Sequence, residues 1–461
     1  MTKEVDSHGM EEDMKQSKPV TGFVVALAAL LCSPVMAMSP PGEAPAVALD
    51  GRLNCPYIST HGGTAYLQIS LSTTDVNRPE RRPMNVAVVL DRSGSMADAG
   101  KLGYAKDAVL ALIDQLAAGD IFSLVIYDDI VDVPFPARRV GNKSELRRLV
   151  DGIYPRGVTN LGGGMTEGFR QVERNLCRES VNRVILLSDG LANRGMTDPF
   201  ALGKVAGCYR QKSISLTTMG VGLEYNENLM VDLSRAGGGN YYFIESPNSL
   251  ASIMSGELNT LSCVVVQNGW LELTLRGGVK INDVIGCERH DNDGTVIIPV
   301  GDLYARDRRE FTVELSIPEG RGVLKAVTGE LRCESERIPA GSRPTFTAFI
   351  HYTTDAAIIE KNKDWDTQAR ADVALSTRAV DRAMNLLDVG QAAEAGRTLS
   401  EAQEALAAAP AAAMSVGGSK MIRDQASKIE KYSNTLKEKK SDPRLIKKSI
   451  QFDNYQTQRK E

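Results

Sequence analysis

The stretch MNVAVVLDRSGS, residues 84–95, decides the fold of this chain. Six of its first seven residues are apolar, which is typical of a strand that is buried on both faces of a parallel sheet. The stretch then continues as Asp91-Arg92-Ser93-Gly94-Ser95, a D-x-S-x-S sequence with three oxygen-bearing side chains. In open sheets of parallel strands, ligands bind outside the carboxyl ends of the strands. The stretch therefore predicts a central strand and a candidate binding site directly after it.

Strand and helix patterns alternate from residue 84 to residue 245. Further strands are predicted over residues 121–127, 183–188, 213–221 and 240–244, and helices over residues 101–116, 144–150, 166–177, 199–210 and 228–236. This alternation predicts an α/β fold with a doubly wound, mostly parallel sheet that is covered by helices on both faces.

Other patterns flank this α/β domain, whose expected bounds are residues 84–255. Residues 54–80 and 256–355 carry short strands separated by turn residues, which is typical of a β-sandwich. The α/β domain is therefore expected to be inserted in this sandwich or to lie next to it. Residues 38–53 are interpreted as a linker, residues 356–440 as a C-terminal helical segment and residues 441–461 as a solvated basic tail.

Two more oxygen-bearing side chains are expected near the D-x-S-x-S sequence. Asp189 follows the predicted strand 183–188, and Thr159 lies in a glycine-rich segment before a helix. Hydroxyl and carboxylate oxygens are ligands that suit Mg²⁺ or Mn²⁺. The candidate metal ligands are Asp91, Ser93, Ser95, Thr159 and Asp189. Because three of these five are neutral hydroxyls, a bound cation would attract one more anionic oxygen, and a carboxylate of a partner protein is the natural sixth ligand.

An acidic pair ends the predicted strand 121–127. Asp128 and Asp129 raise the alternative of a second site of the Ca²⁺ type. A solvated turn is the preferred interpretation, because Asp residues are common in turns at strand ends.

The five candidate ligands resemble the metal-ion-dependent adhesion site of the von Willebrand factor A domain family, and they match it at every position. The resemblance covers about residues 84–255 and includes Gly220-Val221-Gly222 and the later Gly237-Gly238-Gly239. The flanking segments are similar in layout to secreted bacterial proteins of this family and to the inter-α-trypsin inhibitor heavy chains. The resemblance implies a Rossmann-like sheet and Mg²⁺-dependent protein binding.

Residues 1–37 are expected to be a signal peptide. They contain an apolar run, FVVALAALLC, followed by Val35-Met36-Ala37, which fits a cleavage site. Five acidic residues before this run oppose the usual positive flank, and a true start at Met14 would remove them. We therefore expect an exported protein that is periplasmic, cell-surface or extracellular, with an uncleaved N-terminal anchor as the alternative.

Six cysteines follow the expected signal peptide, and an even number in an exported chain permits three disulfides. Buried free thiols are the alternative. The preferred pairings are Cys177 with Cys208, Cys287 with Cys333, and Cys55 with Cys263.

Composition and missing motifs narrow the function. The chain has 54 Lys and Arg against 58 Asp and Glu, which argues against a nucleic-acid binder. It contains no H-E-x-x-H zinc motif and no G-x-S-x-G motif. The expected function is a non-enzymatic binding protein that touches membranes, if at all, through its N-terminal segment or basic tail. A Mg²⁺-dependent hydrolase and an assembly subunit that partners an AAA⁺ ATPase are the alternatives.

Overall fold

The secondary structure follows the predicted division into α/β, β-rich and helical regions. The protein is described by a computed structural model over residues 47–74, 81–245, 249–261, 263–292, 294–333, 343–410, 413–438 and 442–460. The expected signal peptide lies outside these residues. The strands are β1 (Val47–Leu53), β2 (Tyr57–Ser59), β3 (Gly63–Thr73), β4 (Met84–Asp91), β5 (Ile121–Tyr127), β6 (Val131–Arg139), β7 (Val181–Ser188), β8 (Ser215–Val221), β9 (Gly238–Ile244), β10 (Val264–Leu275), β11 (Lys280–Val284), β12 (His290–Asn292), β13 (Thr295–Tyr304), β14 (Arg308–Ile317), β15 (Val323–Arg332) and β16 (Thr345–Thr353). The helices are α1 (Lys101–Gln115), α2 (Lys143–Asp151), α3 (Leu161–Glu173), α4 (Pro199–Arg210), α5 (Glu227–Ala236), α6 (Leu250–Leu261), α7 (Ala356–Lys361), α8 (Trp365–Asp388), α9 (Ala392–Ala407), α10 (Val416–Glu438) and α11 (Pro443–Lys460).

The strand β4 lies in the middle of a six-stranded sheet with the order β6-β5-β4-β7-β8-β9. All its neighbouring pairs are parallel except β5 with β6, which are antiparallel. Every residue of β4 and β7 is buried, because helices cover both faces of the sheet. Val86, Val88 and Leu90 pack on the side of α1 and α6, whereas Ala87 and Val89 pack on the side of α3. The doubly wound α/β fold expected from the sequence is confirmed.

The helix α3 begins five residues before the predicted start at residue 166. Asn160 caps it, and its side chain accepts a hydrogen bond from the backbone of Gly163. The glycines that argue against a helix here serve close packing on the sheet. A Cβ atom at Gly164 would lie 2.5 Å from the ring of Tyr127, and one at Gly168 would lie 2.3 Å from Val89. Glycine therefore brings α3 down onto β4 and β5 at a cost in helix propensity.

Two sheets form the β-sandwich. One has the order β1-β3-β14-β11, and the other has the order β12-β13-β10-β15-β16-β2. Their inner faces share one apolar core, which contains Leu67, Ile69 and Leu71 of β3 together with Leu271 and Leu273 of β10. Since β3 precedes the α/β domain and β10 follows it, the α/β domain is inserted into the sandwich sequence.

The linker predicted over residues 38–53 is wrong for its C-terminal part. Residues 47–53 form β1, which pairs with β3 along its whole length, from Val47 opposite Thr73 to Leu53 opposite Leu67. Only two of its seven residues, Val47 and Leu53, are buried. A strand with so few buried positions needs no regular alternation of apolar and polar residues, so the sequence did not reveal it. The rest of the predicted linker, residues 38–46, lies outside the described residues.

The basic tail predicted over residues 441–461 is also wrong as a solvated segment, because residues 443–460 form α11. Ile446 and Ile450 of this helix enter the core of the helical region, and Tyr455 enters a core of the α/β domain. Lys448 is buried and donates hydrogen bonds to Glu227 and to the carbonyl of Tyr225, the latter at 2.7 Å. Lys447 and Lys448 of α11 thus bind acidic and carbonyl groups within the protein.

The described residues contain no disulfide, so none of the three predicted pairings is present. Cys177 lies in the loop after α3, where its thiol donates to Glu179, and Cys208 is exposed on α4. Cys55 is buried and donates to the carbonyls of Tyr57 and Ile359. Its thiol therefore faces α7. Cys287 was predicted to pair with Cys333, but its thiol donates to the carbonyl of Pro299. The predicted pair of Cys55 with Cys263 is not formed either.

Within the described residues, no helix is both long enough and apolar enough to cross a membrane.

A buried ion pair joins the α/β domain to the sandwich. Arg183 of β7 is fully buried, and its Nη2 atom lies 2.9 Å from Asp302 Oδ2 of β13. The guanidinium also donates to Tyr304 and Thr217. A buried charge of this kind has to be compensated, so Asp302 ties the amino-terminal half of β7 to the sandwich.

Replacing Asp302 by alanine is expected to lower the free energy of unfolding by about 3–5 kcal/mol, because Arg183 would remain buried without its counter-ion. Urea unfolding measured by circular dichroism checks this. The matched control is Asp50→Ala, which removes the carboxylate of an exposed pair with Arg52 and should cost less than about 1 kcal/mol. Equal losses in the two variants would contradict the role given to the buried pair.

Candidate functional site

The Asp91 carboxylate is fully buried at the carboxyl end of β4. Its Oδ1 atom accepts the backbone N–H of Ser93 at 2.8 Å, and its Oδ2 atom accepts the hydroxyl of Ser188 at 2.7 Å. Burial raises the pKa of Asp91 to about 6, although the hydrogen bonds from Ser93 and Ser188 act in the opposite direction. Asp91 is thus a carboxylate held in a costly position, which is common at functional sites.

The two serines of the D-x-S-x-S sequence lie on the turn that follows β4. Their Oγ atoms are 3.1 Å apart, and the Ser95 hydroxyl donates to Asp189 Oδ1 at 2.8 Å. Asp189 is fully buried directly after β7, the parallel neighbour of β4. The parallel pairing therefore brings the two predicted acidic residues and the two serines to one edge of the sheet.

Thr159 reaches the same edge from the loop before α3, and it is buried. Its position relative to Ser95 follows from Gly190, the residue after Asp189. A Cβ atom at Gly190 would lie 3.1 Å from Thr159 Oγ1 and 3.5 Å from Ser95 Oγ. Both hydroxyls therefore flank the same small backbone position. All five candidate ligands are brought together by the structure.

The donor set fits a hard divalent cation. It consists of oxygen atoms alone, from two carboxylates and three hydroxyls, and no thiol or imidazole belongs to it. The bare backbone of Gly190 keeps a cradle open beside Thr159 and Ser95 that a methyl group would crowd. The ion would be held, directly or through water, by Asp91, Ser93, Ser95, Thr159 and Asp189. Their assignment as metal ligands stays a prediction.

Arginine side chains that no sequence pattern predicted support the loops around this set. Arg92 is buried between two candidate ligands in sequence, and its Nε atom lies 2.8 Å from Asp128 Oδ2. Arg156 donates to the same oxygen at 2.6 Å, and its backbone N–H donates to the carbonyl of Arg92. Asp128 is buried, so the solvated turn preferred for it is wrong, and it anchors two arginines. No sequence motif marks this pairing.

A lysine also reaches the site without having been predicted. Lys101, the first residue of α1, lies 2.7 Å from Asp189 Oδ2 through its Nζ atom. The residue is buried, which is rare for lysine. A signal was present in the sequence, because Lys101 begins the amphipathic helix six residues after Ser95 and so has to lie near the same loops.

The rim of the site carries exposed apolar side chains on two of the loops that form it, the loop before α3 and the loop after β7. Leu191 and Val158 are the chain neighbours of Gly190 and Thr159, and the backbone of Met196 lies against Gly162 of α3. Six of the twelve exposed large apolar side chains in the described part of the chain lie on these two loops, at the adjoining start of α4 or on the turn between β5 and β6. They are Ile130, Tyr154, Val158, Leu191, Met196 and Phe200.

This fold and site define a class of protein. Residues 85–256 match the family model of the von Willebrand factor type A domain, and the chain therefore contains such a domain. Domains of this family commonly bind a divalent metal at this position and often mediate protein–protein interactions. The resemblance noted in the sequence is confirmed.

Individual relatives are more distant. The chain is 26% identical over 203 residues to the uncharacterized protein YfbK of Escherichia coli (strain K12), which covers 44% of this chain and 35% of YfbK. It is 24% identical over 298 residues to the inter-alpha-trypsin inhibitor heavy chain H3 of Rattus norvegicus, which covers 61% of this chain and 33% of the heavy chain. The chain thus spans about a third of the length of these two relatives.

A solved structure resembles almost the whole fold. It is a von Willebrand factor type A protein from Catenulispora acidiphila, with a TM-score of 0.70 and 17% sequence identity. The match covers 92% of this chain and 99% of that one. The shared fold therefore extends beyond residues 85–256 into the flanking regions.

Metal affinity is expected to depend on pH through Asp91. Its pKa in the folded protein, about 6, is above the ordinary value of 3.8, so the metal-free folded state binds an extra proton between these values. The contribution of Asp91 to the free energy of unfolding therefore falls as the pH rises from about 4 to about 6. A cation has to displace that proton. Below about pH 6, the Mg²⁺ dissociation constant should rise roughly tenfold per pH unit, and above it the constant should level off.

Isothermal titration calorimetry with Mg²⁺ between about pH 5 and pH 7.5 measures this dependence. The Asp91→Asn variant is the control, because it carries no titratable group at this position and should bind Mg²⁺ weakly at every pH. A wild-type affinity that stays constant over the whole range would exclude the protonated Asp91.

Proposed function

We propose that the protein is an exported, non-enzymatic binding protein whose metal site coordinates an acidic residue of a partner protein. A von Willebrand factor A domain suggests a protein-binding or adhesion-type role in general terms. The finer statement rests on one observation, the exposed apolar rim around an oxygen-lined site. Exposed apolar side chains gathered in one place mark interaction surfaces.

The rim and the candidate ligands have complementary tasks. The hydroxyls of Ser93, Ser95 and Thr159 bring no negative charge, so a Mg²⁺ ion held there would attract an additional carboxylate oxygen. Leu191 and Phe200 are 55% and 81% exposed, and both would lose this exposure to water under a docked protein. The carboxylate then supplies specificity and the apolar contacts supply much of the affinity.

The hydrogen bonds of the two acidic residues support a binding role over catalysis. Asp91 accepts from Ser93 and Ser188, and Asp189 accepts from Ser95 and Lys101. A general base needs a lone pair that faces the substrate proton. Both carboxylates are fully buried and hydrogen-bonded within the site, an arrangement that suits the positioning of a cation better than proton transfer to a substrate.

Export is part of the proposal, and its support comes from the sequence. The apolar run of residues 23–32 and the following Val35-Met36-Ala37 have the pattern of a secretory signal. A periplasmic, cell-surface or extracellular location would expose the rim to envelope or extracellular proteins. Fractionation of the producing cells, with N-terminal sequencing of the mature chain, tests this location.

Partner capture is expected to require both the cation and Asp91. The mature protein, immobilised and exposed to an envelope extract, should retain a partner in Mg²⁺ and release it in EDTA. The Asp91→Ala variant should retain none of it in either buffer, since the cation loses a buried ligand. Quantitative mass spectrometry of the eluates measures this.

The variant should remain folded, because relief of the carboxylate's desolvation offsets the loss of the hydrogen bonds from Ser93 and Ser188. Circular dichroism and thermal unfolding of Asp91→Ala control for that. A partner that is retained equally in Mg²⁺ and EDTA would contradict the proposal and direct attention to the sandwich and the helical region.

The rim is expected to contribute independently of the metal. Leu191→Asp places a negative charge beside the site and should reduce partner capture at least about tenfold, because it removes apolar contact area and repels an acidic ligand. The matched control is Leu176→Asp. Leu176 is similarly exposed, at 44%, and lies in the loop before β7, at the opposite end of that strand. Equal capture by both variants would remove the rim from the proposal.

A further inference from the structure

Lys101 occupies an unusual place for a lysine. It is 8% exposed, and its Nζ atom donates to Asp189 Oδ2 at 2.7 Å and lies 3.5 Å from the backbone oxygen of Ser95. Lysine is almost never fully buried unless it is paired. The ammonium group is therefore a fixed positive charge within the set of predicted metal ligands.

The carboxylate of Asp189 is shared between two neighbours. Its Oδ1 atom accepts from the hydroxyl of Ser95, a predicted ligand, and its Oδ2 atom accepts from Lys101. The lysine thus neutralises one of the two buried carboxylates and fixes its orientation.

The stem of Lys101 is held as well as its charge. A Cβ atom built on Gly222 would lie 3.2 Å from Lys101 Cε, which places the lysine methylenes against the backbone of the loop after β8. Gly222 has a φ of +77°, a conformation that favours glycine. This loop continues to Tyr225, whose carbonyl accepts from Lys448 of α11. Contact of the lysine stem with the backbone at Gly222 therefore helps to hold the ammonium group at the site.

We infer that Lys101 sets the net charge of the metal-loaded site and thereby selects a single carboxylate as the ligand, an inference that rests on the proposed function. Among the predicted ligands and the lysine bonded to them, the ionised side chains are Asp91, Asp189 and Lys101, which together carry one negative charge. A divalent cation brings the sum to one positive charge, and one carboxylate of a partner neutralises it. Without the lysine, the loaded site would be neutral before any partner binds.

If Lys101 has this role, its replacement should change the affinity for Mg²⁺ and the affinity for a carboxylate in opposite directions. Loss of the ammonium removes repulsion toward the cation, so Mg²⁺ should bind more tightly. The same loss removes attraction toward the incoming carboxylate, so the anion should bind more weakly. A lysine with a purely structural role would weaken both when it is replaced, because the ligand set would become disordered.

The test compares Lys101→Met, which keeps the length of the apolar stem, with Lys204→Met, which removes a charge from an exposed position on α4. Calorimetry with Mg²⁺ measures cation affinity. Water-proton relaxation of the Mn²⁺-loaded protein, titrated with acetate, measures the affinity for a carboxylate. Lys101→Met should bind Mg²⁺ about tenfold more tightly and acetate about tenfold more weakly. Lys204→Met should match the wild type in both measurements.

A second variant keeps the inference testable if the methionine variant does not fold. Lys101→Gln retains a hydrogen-bond donor for Asp189 without the charge, and it should show the same two opposite changes. Parallel losses of both affinities, or no change in either, would overturn the role of Lys101 while the wild type still binds Mg²⁺ and acetate. A wild-type protein that binds no Mg²⁺ would overturn the proposed function and this inference with it.

Discussion

The burial of Asp91 at the carboxyl end of β4 is the constraint on which the site depends. A carboxylate that is removed from water needs hydrogen bonds or a cation to stay ionised. The backbone of Ser93 and the hydroxyl of Ser188 provide the hydrogen bonds, and both belong to strand ends next to Asp91. The Ser93 donor follows Asp91 in the same turn, whereas the Ser188 donor is in place only because β4 and β7 are parallel neighbours. The polar cluster therefore depends on the doubly wound sheet. The sheet buries the carboxylate, and groups at the strand ends supply hydrogen bonds that offset the cost of its burial.

The parts outside the α/β domain hold this arrangement from two other directions. Arg183 and Asp302 join β7 to the sandwich by a buried ion pair. The helix α11 binds the segment that leads into α5, where Lys448 contacts Glu227 and the carbonyl of Tyr225. The strand β7 and the loop after β8, which contacts Lys101 at the site, are thus both attached to neighbouring regions. The inserted domain is held by the rest of the chain on the strands that form its site.

The sequence predicted the features that depend on local pattern and failed where long-range pairing decides. The structure places β5 and α4 at their predicted bounds. Both predictions depend on neighbouring residues alone, namely a continuous apolar run for β5 and the N-terminal Pro199 for α4. The edge strand β6 was missed, since it contains Pro134 and Pro136, which only an unpaired edge tolerates. The tail was misjudged because the partners of its lysines lie about 220 residues away, at Glu227 and Tyr225. For the same reason, D-x-S-x-S and two further strand-end and loop segments gave five candidate ligands but did not reveal Arg92, Asp128 and Lys101 as their supports.

The two ends of β7 have different roles in the domain: one end contacts the sandwich, and the other end carries candidate ligands. Near its beginning, Arg183 is buried against the sandwich, so that edge of the sheet is covered by the protein itself. After its end, Asp189 and Gly190 lie among the predicted metal ligands, and Leu191 is exposed directly beside them. Because a strand runs straight, attaching one end to the sandwich directs the other end away from it. An inserted domain of this kind presents its candidate site to solvent as a consequence of how it is anchored, and the apolar rim is then left for a partner to cover.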